Sequence, residues 1–118
     1  MNKGGKQAHI IGLMGEQIAL AFLLQCNYTH IASRYKTRFG EIDLIMQQGD
    51  TLVFVEVKYR QKGEAGDGLL AITARKQARF LQACEEYLYQ TDWQGHVRID
   101  AIEIIGTQVQ HLQNVMGN

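Results

Sequence analysis

Four ionisable residues interrupt two otherwise apolar segments. Glu41 and Asp43 lie in Glu41-Ile-Asp-Leu-Ile-Met46, and Glu56 and Lys58 lie in Thr51-Leu-Val-Phe-Val-Glu-Val-Lys-Tyr59. In an extended chain, residues two apart share a face, so each segment presents its charges as a pair. If the two pairs meet, Asp43 and Glu56 face each other with Cβ atoms roughly 5 Å apart, an arrangement that is destabilising unless something offsets the charge. Mg²⁺ or Mn²⁺ would offset it, because hard cations take carboxylate oxygens. Such an ion can acidify a water and stabilise charge developing on a phosphate. Lys58, on the same face as Glu56, is placed to hold the attacking water or the phosphate. As pattern alone, a solvated face of surface ion pairs fits these residues equally well. Phe54 and Ile45 share the charged face and favour a partly covered site.

The elements that would position these groups follow from periodicity. The β-branched and aromatic residues of 51–59 and the alternation of 41–46 predict two strands. Gln48-Gly49-Asp50 between them reads as a hairpin turn. With Gly49-Asp50 as a two-residue loop, Gln48 pairs with Thr51. Counting outward then sets Asp43 opposite Glu56 and Glu41 opposite Lys58. A slip of one residue would mix charged and apolar side chains on both faces. The expected register leaves Ile42, Leu44 and Met46 with Val53, Val55 and Val57 on one core face. Upstream, Ile11, Met14, Ile18 and Phe22 recur at helical spacing, predicting a heavily buried helix from His9 to about Cys26, ended by Asn27. Residues 1–8 read as a flexible arm, and 9–118 as a single domain. Residues 29–36 predict a further strand, 60–68 a polar glycine-rich loop, 70–90 a second helix and 96–105 a fourth strand. The tail from Thr107 has room for one more short element. The order α-β-β-β-α-β predicts an α/β fold, a mixed central sheet of about four to five strands with helices packed on it.

Composition narrows the functional classes. A chain of 118 residues with 46% apolar content builds one core, not two. No apolar run is long enough to span a membrane, and no secretory leader pattern opens the chain, which together predict a cytoplasmic protein. Cys26 and Cys84 are far apart, without metal-binding spacing, and read as buried free thiols. The twelve basic and twelve acidic residues cancel, but their distribution is uneven. Lys58, Arg60, Lys62, Arg75, Lys76 and Arg79 outnumber Glu64 and Asp67 over the same stretch, and Arg34, Lys36 and Arg38 form a second basic group. Such groups are compatible with phosphate binding and equally with a solvated face. Lys76, near the start of the second helix, reads first as a solvated position. Arg98 and Asp100 read as structural partners, and Trp93 as a packing or base-stacking residue.

Asp43, a hairpin, and then Glu56-Val57-Lys58 resembles the signature of the PD-(D/E)XK nuclease superfamily. More narrowly, the chain is similar to the YraN family of predicted bacterial endonucleases, which is related to Holliday-junction resolvases. The resemblance is carried by Gly12-Leu-Met-Gly-Glu-Gln-Ile-Ala19, Arg38-Phe-Gly-Glu-Ile-Asp-Leu-Ile45, Val53-Phe-Val-Glu-Val-Lys-Tyr-Arg60, Lys76 with Ala83 to Leu88, and Arg98-Ile-Asp100. It implies a restriction-endonuclease-like core and a magnesium-dependent endonuclease that hydrolyses nucleic acid, DNA in the first place, with branched or single-stranded DNA as candidate substrates. Asp43 and Glu56 are implied as metal ligands and Lys58 as the catalytic lysine. Glu16, which the sequence alone places on an exposed helix face, is implied to join them. Lys76, Arg75, Arg79, Arg60 and Arg38 are the candidate nucleic-acid contacts, and a homodimer is the implied assembly. Ile42 stands where the superfamily's named proline would be. A binding module without turnover, or a protein-interaction domain with a charged sheet face, are the competing functions.

Overall fold

A computed structural model of the protein describes residues 3–60 and 74–115. The elements are α1 (Lys3–Gln25), β1 (Thr29–Lys36), β2 (Glu41–Gln48), β3 (Thr51–Arg60), α2 (Ala74–Thr91), β4 (His96–Ile105) and β5 (Gln108–Leu112). The five strands form one sheet in the order β1-β2-β3-β4-β5. β3 and β4 are parallel, joined through α2, and the other neighbours are antiparallel. This is the expected mixed α/β sheet, with the tail supplying the fifth strand. The loop expected at 60–68 and the first residues of the second helix fall outside the described residues, apart from Arg60 at the end of β3.

Both helices stop by the same backbone device. Asn27 adopts a left-handed φ of 69°, while Tyr28 N donates to Leu23 O and Asn27 N to Leu24 O. Asp92 repeats this at φ 52°, with Trp93 N donating to Leu88 O and Asp92 N to Tyr89 O. This paired bonding satisfies the last carbonyls of a helix, and a short polar side chain tolerates the left-handed residue. The β2–β3 hairpin turns at Gly49, whose φ of 59° is what a two-residue hairpin loop asks of its first position.

α1 and α2 cover opposite faces of the sheet. Ala19 and Leu23 of α1 pack with Leu44, Met46, Val53, Val55, Ile102 and Ile104. Phe80, Ala83, Cys84 and Tyr87 of α2 pack with Ile42, Ile45, Leu52, Phe54 and Ile99. The expected core face is therefore corrected at one place: Ile42 lies under α2, not with Leu44 and Met46 under α1. Residues two apart on a regular strand share a face, so alternation breaks around Asp43. Across from it, Arg34 of β1 has a left-handed φ of 48° and falls between the pairs Ser33↔Leu44 and Tyr35↔Ile42.

Further expectations change, for α1 and Cys26, and the open alternative at Trp93 is decided. α1 begins at Lys3 rather than His9, because extending an already nucleated helix costs little per residue. Its buried line runs through Gly15, Ala19 and Leu23, which leaves Ile10, Met14 and Leu24 exposed. Cys26 follows the last helical residue and is exposed, whereas Cys84 is buried and its thiol pKa is pushed up by that burial. Trp93 is a packing residue: it lies against the cluster under α2, and its indole N–H donates to His96 O at 2.9 Å.

Candidate metal centre and groove

The β2–β3 ladder follows the expected register from Gln48↔Thr51 to Leu44↔Val55. It ends there, short of the expected pairs Asp43–Glu56 and Glu41–Lys58. β2 continues along β1 through Ile42 and Glu41, while β3 continues along β4 to Arg60. The sheet thus opens between β2 and β3, and the charged residues gather at the opening. Asp43 Oδ2 accepts a hydrogen bond from Val57 N at 2.8 Å, so a side chain takes up a β3 amide where the strands separate.

The group that could hold a cation consists of Glu16, Glu41 and Asp43, whose nearest carboxylate oxygens all lie within 4.8 Å of one another. Glu16 reaches the strands because α1 comes unusually close at the preceding residue. A Cβ on Gly15 would stand 2.7 Å from Tyr59 Cβ, so an alanine there could not be seated without displacing the helix. Arg34 NH1 lies 3.2 Å from Glu16 Oε1.

Glu56, expected beside Asp43 as a ligand, is not part of that group. Its Oε1 lies 3.2 Å from Lys58 Nζ, both side chains being largely buried. The difference follows from the strand separation, which carries Asp43 toward the Val57 amide while Glu56 stays on the face under α2. Glu56 remains within electrostatic reach. Burial pushes the Asp43 carboxyl up from its ordinary 3.8 to about 7. The Val57 hydrogen bond opposes this rise, Glu16 and then Glu56 add to it, and Lys58 counteracts them. A buried carboxyl among other carboxylates is what a divalent cation relieves, and the donor set is entirely oxygen, as Mg²⁺ and Mn²⁺ prefer.

A groove of about 240 Å³ runs from this site toward α2, lined by Glu41, Glu56 and Lys58 on the sheet side, Lys76 and Arg79 on the helix, and Phe39 among its walls. Two of the candidate phosphate contacts therefore share a groove with Glu41 and Glu56, while Glu16 and Asp43 are not among its lining residues. Arg75 is exposed nearby on α2 but is not among the lining residues. Arg60 is turned to Glu103, with NH2 at 3.4 Å from Oε2 of a carboxylate that is 1% exposed. Arg38 stacks over the Phe39 ring at 4.9 Å and lies 3.9 Å from Glu86.

Sequence reasoning missed the part taken by Glu41, Arg34 and Glu103. Glu41 carried a signal, since it shares a strand face with Asp43. Arg34 and Glu103 carried none, because a tertiary contact defines each.

Midway along β4, Asp100 is fully buried. It accepts from Arg98 Nε at 2.9 Å and from Asn114 N at 3.0 Å, and lies 2.8 Å from His111 Nε2. Arg98 NH2 also donates to Tyr28 OH at 2.6 Å. Burial alone would raise the Asp100 pKa, but His111, Arg98 and the Asn114 amide together hold it below the usual carboxylate range. As expected from the sequence, this pair is structural: it ties β4 to β5 and to the start of β1.

Fold and site together define an open mixed-sheet α/β domain with a carboxylate cluster where two central strands part. The chain belongs to the uncharacterised protein family UPF0102, whose model matches residues 15–104, a span that includes Glu16, Glu41, Asp43, Glu56 and Lys58. A UPF0102 protein of Nitrosomonas europaea is 40% identical over 102 residues, covering 86% of each chain. One of Cytophaga hutchinsonii is 37% identical over 105 residues, covering 88% of this chain and 93% of its own. One of Brachyspira hyodysenteriae is 45% identical over 84 residues, 69% of each. The YraN-like family assignment drawn from the motifs stands at this level. Among the described residues, no helix is long and apolar enough to cross a membrane.

Proposed function

We propose that this protein is a metal-dependent endonuclease that hydrolyses phosphodiester bonds of nucleic acid, DNA in the first place. The observation that carries this reading is the meeting of Glu16, Glu41 and Asp43 within 4.8 Å at the strand opening, where Asp43 is pushed up to about 7. Asp43, Glu16 and Glu41 would hold Mg²⁺ or Mn²⁺, with Glu56 at the margin of the set. When bound, such an ion supplies an acidified water and neutralises charge on a phosphate.

The remaining work belongs to the chain's own residues. The Val57 amide fixes the Asp43 carboxylate through its 2.8 Å hydrogen bond. Glu56 orients the Lys58 ammonium, which faces the groove and can hold a water or a phosphate oxygen by charge. Lys76 and Arg79 line the same groove and would take the phosphates that flank the reacting one. A homodimer belongs to the same reading, on the resemblance to resolvases, and sedimentation of the full chain tests it.

The deciding experiment is a cleavage screen over linear, nicked, single-stranded and four-way-junction DNA, with matched RNA, in Mg²⁺ and in Mn²⁺. Wild type and Asp43→Asn are run in parallel, and metal binding is followed by calorimetry. Metal-dependent cleavage lost in the variant supports the proposal. Salt-sensitive binding without cleavage replaces it with a binding module. Absence of both metal binding and nucleic-acid binding removes it.

A further inference from the structure

Beyond the reacting groove lies a second depression of about 330 Å³, between the β1–β2 turn and α2. It is lined by Arg38, Phe39, Glu85, Glu86 and Tyr89, with Gln82 and Gln90. Phe39 lines both it and the groove that holds Glu41, Glu56, Lys58, Lys76 and Arg79, so the two are adjacent. Their chemistry differs. The groove sets three cations, Lys58, Lys76 and Arg79, against Glu41 and Glu56, whereas the depression sets one cation, Arg38, against Glu85 and Glu86, with side-chain amides and two aromatic rings.

Glu86 stands out within it. Its Oε1 is 3.9 Å from Arg38 Nε, and its Oε2 is buried yet meets no hydrogen-bond donor among the described residues. A buried carboxylate oxygen left unsatisfied calls for an explanation. Glu86 lines the depression, and the terminal torsion of a glutamate is soft, so a modest rotation can present the carboxylate to a ligand there. Tyr89 is 87% exposed at its edge, and Arg38 and Phe39 already form a stacked pair. Aromatic rings and guanidinium planes are the surfaces on which unpaired bases stack.

We infer that the depression receives an unpaired base next to the scissile phosphate, with the Glu86 carboxylate accepting hydrogen bonds from the base's N–H donors. The inference rests on the nuclease reading and narrows its substrate to nucleic acid with at least one unpaired nucleotide. Glu85 and Glu86 outnumber Arg38, which already lies 3.9 Å from Glu86, so the depression disfavours phosphate; the strand enters base first while its backbone stays along Lys58, Lys76 and Arg79. A carboxylate pairs best with two adjacent N–H donors. Among the common bases guanine presents them on its pairing edge, and hypoxanthine lacks one of the two.

The test uses labelled DNA duplexes carrying a single unpaired guanine, hypoxanthine, thymine or abasic residue, and a fully paired control. Binding is read by fluorescence anisotropy, with wild type in EDTA and with Asp43→Asn in Mg²⁺. The guanine bulge should bind roughly tenfold more tightly than the hypoxanthine or thymine bulge, the order expected for one bidentate base contact. Glu86→Gln should remove most of that ratio, with melting temperature recorded to confirm folding. Equal affinity for bulged and paired duplexes, or a guanine preference that survives Glu86→Gln, overturns this inference and leaves the nuclease reading standing. Glu86-dependent binding of an oligolysine peptide with no base preference assigns the depression to a basic peptide and overturns it too. Failure to bind any DNA or RNA overturns both.

Discussion

Asp43→Asn is the most informative single substitution, because it removes a charge and almost no volume. The carboxyl moves from 3.8 to about 7 on folding. At about 1.4 kcal/mol per pKa unit, that shift corresponds to roughly 4 kcal/mol, and partial solvent screening trims it to about 2–4 kcal/mol. The folded state holds the proton more tightly than the unfolded state. Between about pH 4 and pH 7, the metal-free folded protein therefore binds more protons, and stability falls as pH rises. The contribution is present in full below pH 4 and gone above about pH 7. An asparagine oxygen still accepts from Val57 N, so the variant keeps the contact and loses the titration. At pH 8 in EDTA, Asp43→Asn should be more stable than wild type by about 2–4 kcal/mol, and near pH 4 the two should agree within about 1 kcal/mol. For a domain of this size, that is an increase in Tm of roughly 8–16 °C at pH 8. Saturating Mg²⁺ or Mn²⁺ should raise the wild-type Tm at pH 8 by mass action and leave the variant unmoved. Thermal unfolding by circular dichroism from pH 4 to pH 8.5, with and without metal, reads all of this. A variant less stable than wild type at pH 8, or one with the same pH profile, would show that the Asp43 charge is a structural asset, and the metal centre would lose its physical basis.

Other substitutions separate binding, positioning and folding. Lys58→Ala should keep metal affinity by calorimetry, or raise it slightly by removing a cation near Asp43, while cleavage falls by about 100-fold or more; unchanged cleavage would take Lys58 out of the reaction. Gly15→Ala should cost about 1–3 kcal/mol through the close approach to Tyr59 and should also weaken metal binding, because α1 carries Glu16 with it; unchanged unfolding and metal affinity would refute that coupling. Arg79→Ala should lower the salt slope of DNA binding by about one unit, whereas Arg75→Ala, outside the groove, should leave it unchanged. Asp100→Asn should destabilise by about 3–5 kcal/mol, since it strips a buried charge from Arg98 and His111. Because the Asp100 pKa is lowered, wild type owes that stability to pH above the ordinary carboxylate range and loses it in acid. The difference between the two proteins should therefore shrink as pH falls.

Local rules reach far into this molecule. The Gly49-Asp50 turn and the alternation of 41–46 against 51–58 settle the hairpin register, because a slip of one residue would mix charged and apolar side chains on both faces. Asn27 closes α1 because a left-handed cap needs a residue that accepts it. The helix and strand order, and with it the mixed sheet, follows from periodicities of 3.6 and 2. The pairing of Arg98 with Asp100 needs no more than their spacing on one strand face. What these rules could not reach is where the ladder stops. Asp43 and Glu56 are opposite by count, yet β2 follows β1 and β3 follows β4 past Leu44↔Val55. Competition between neighbouring strands decided this, and no residue of the hairpin records it. That separation sends Asp43 to the Val57 amide, leaves Glu56 with Lys58, and brings Glu41 into the cluster. Glu16 depends on contacts still more distant in sequence. Its place is set by Gly15 against Tyr59 and by Arg34 from a bent β1, and contacts formed when a helix docks on a sheet are not written in the helix alone.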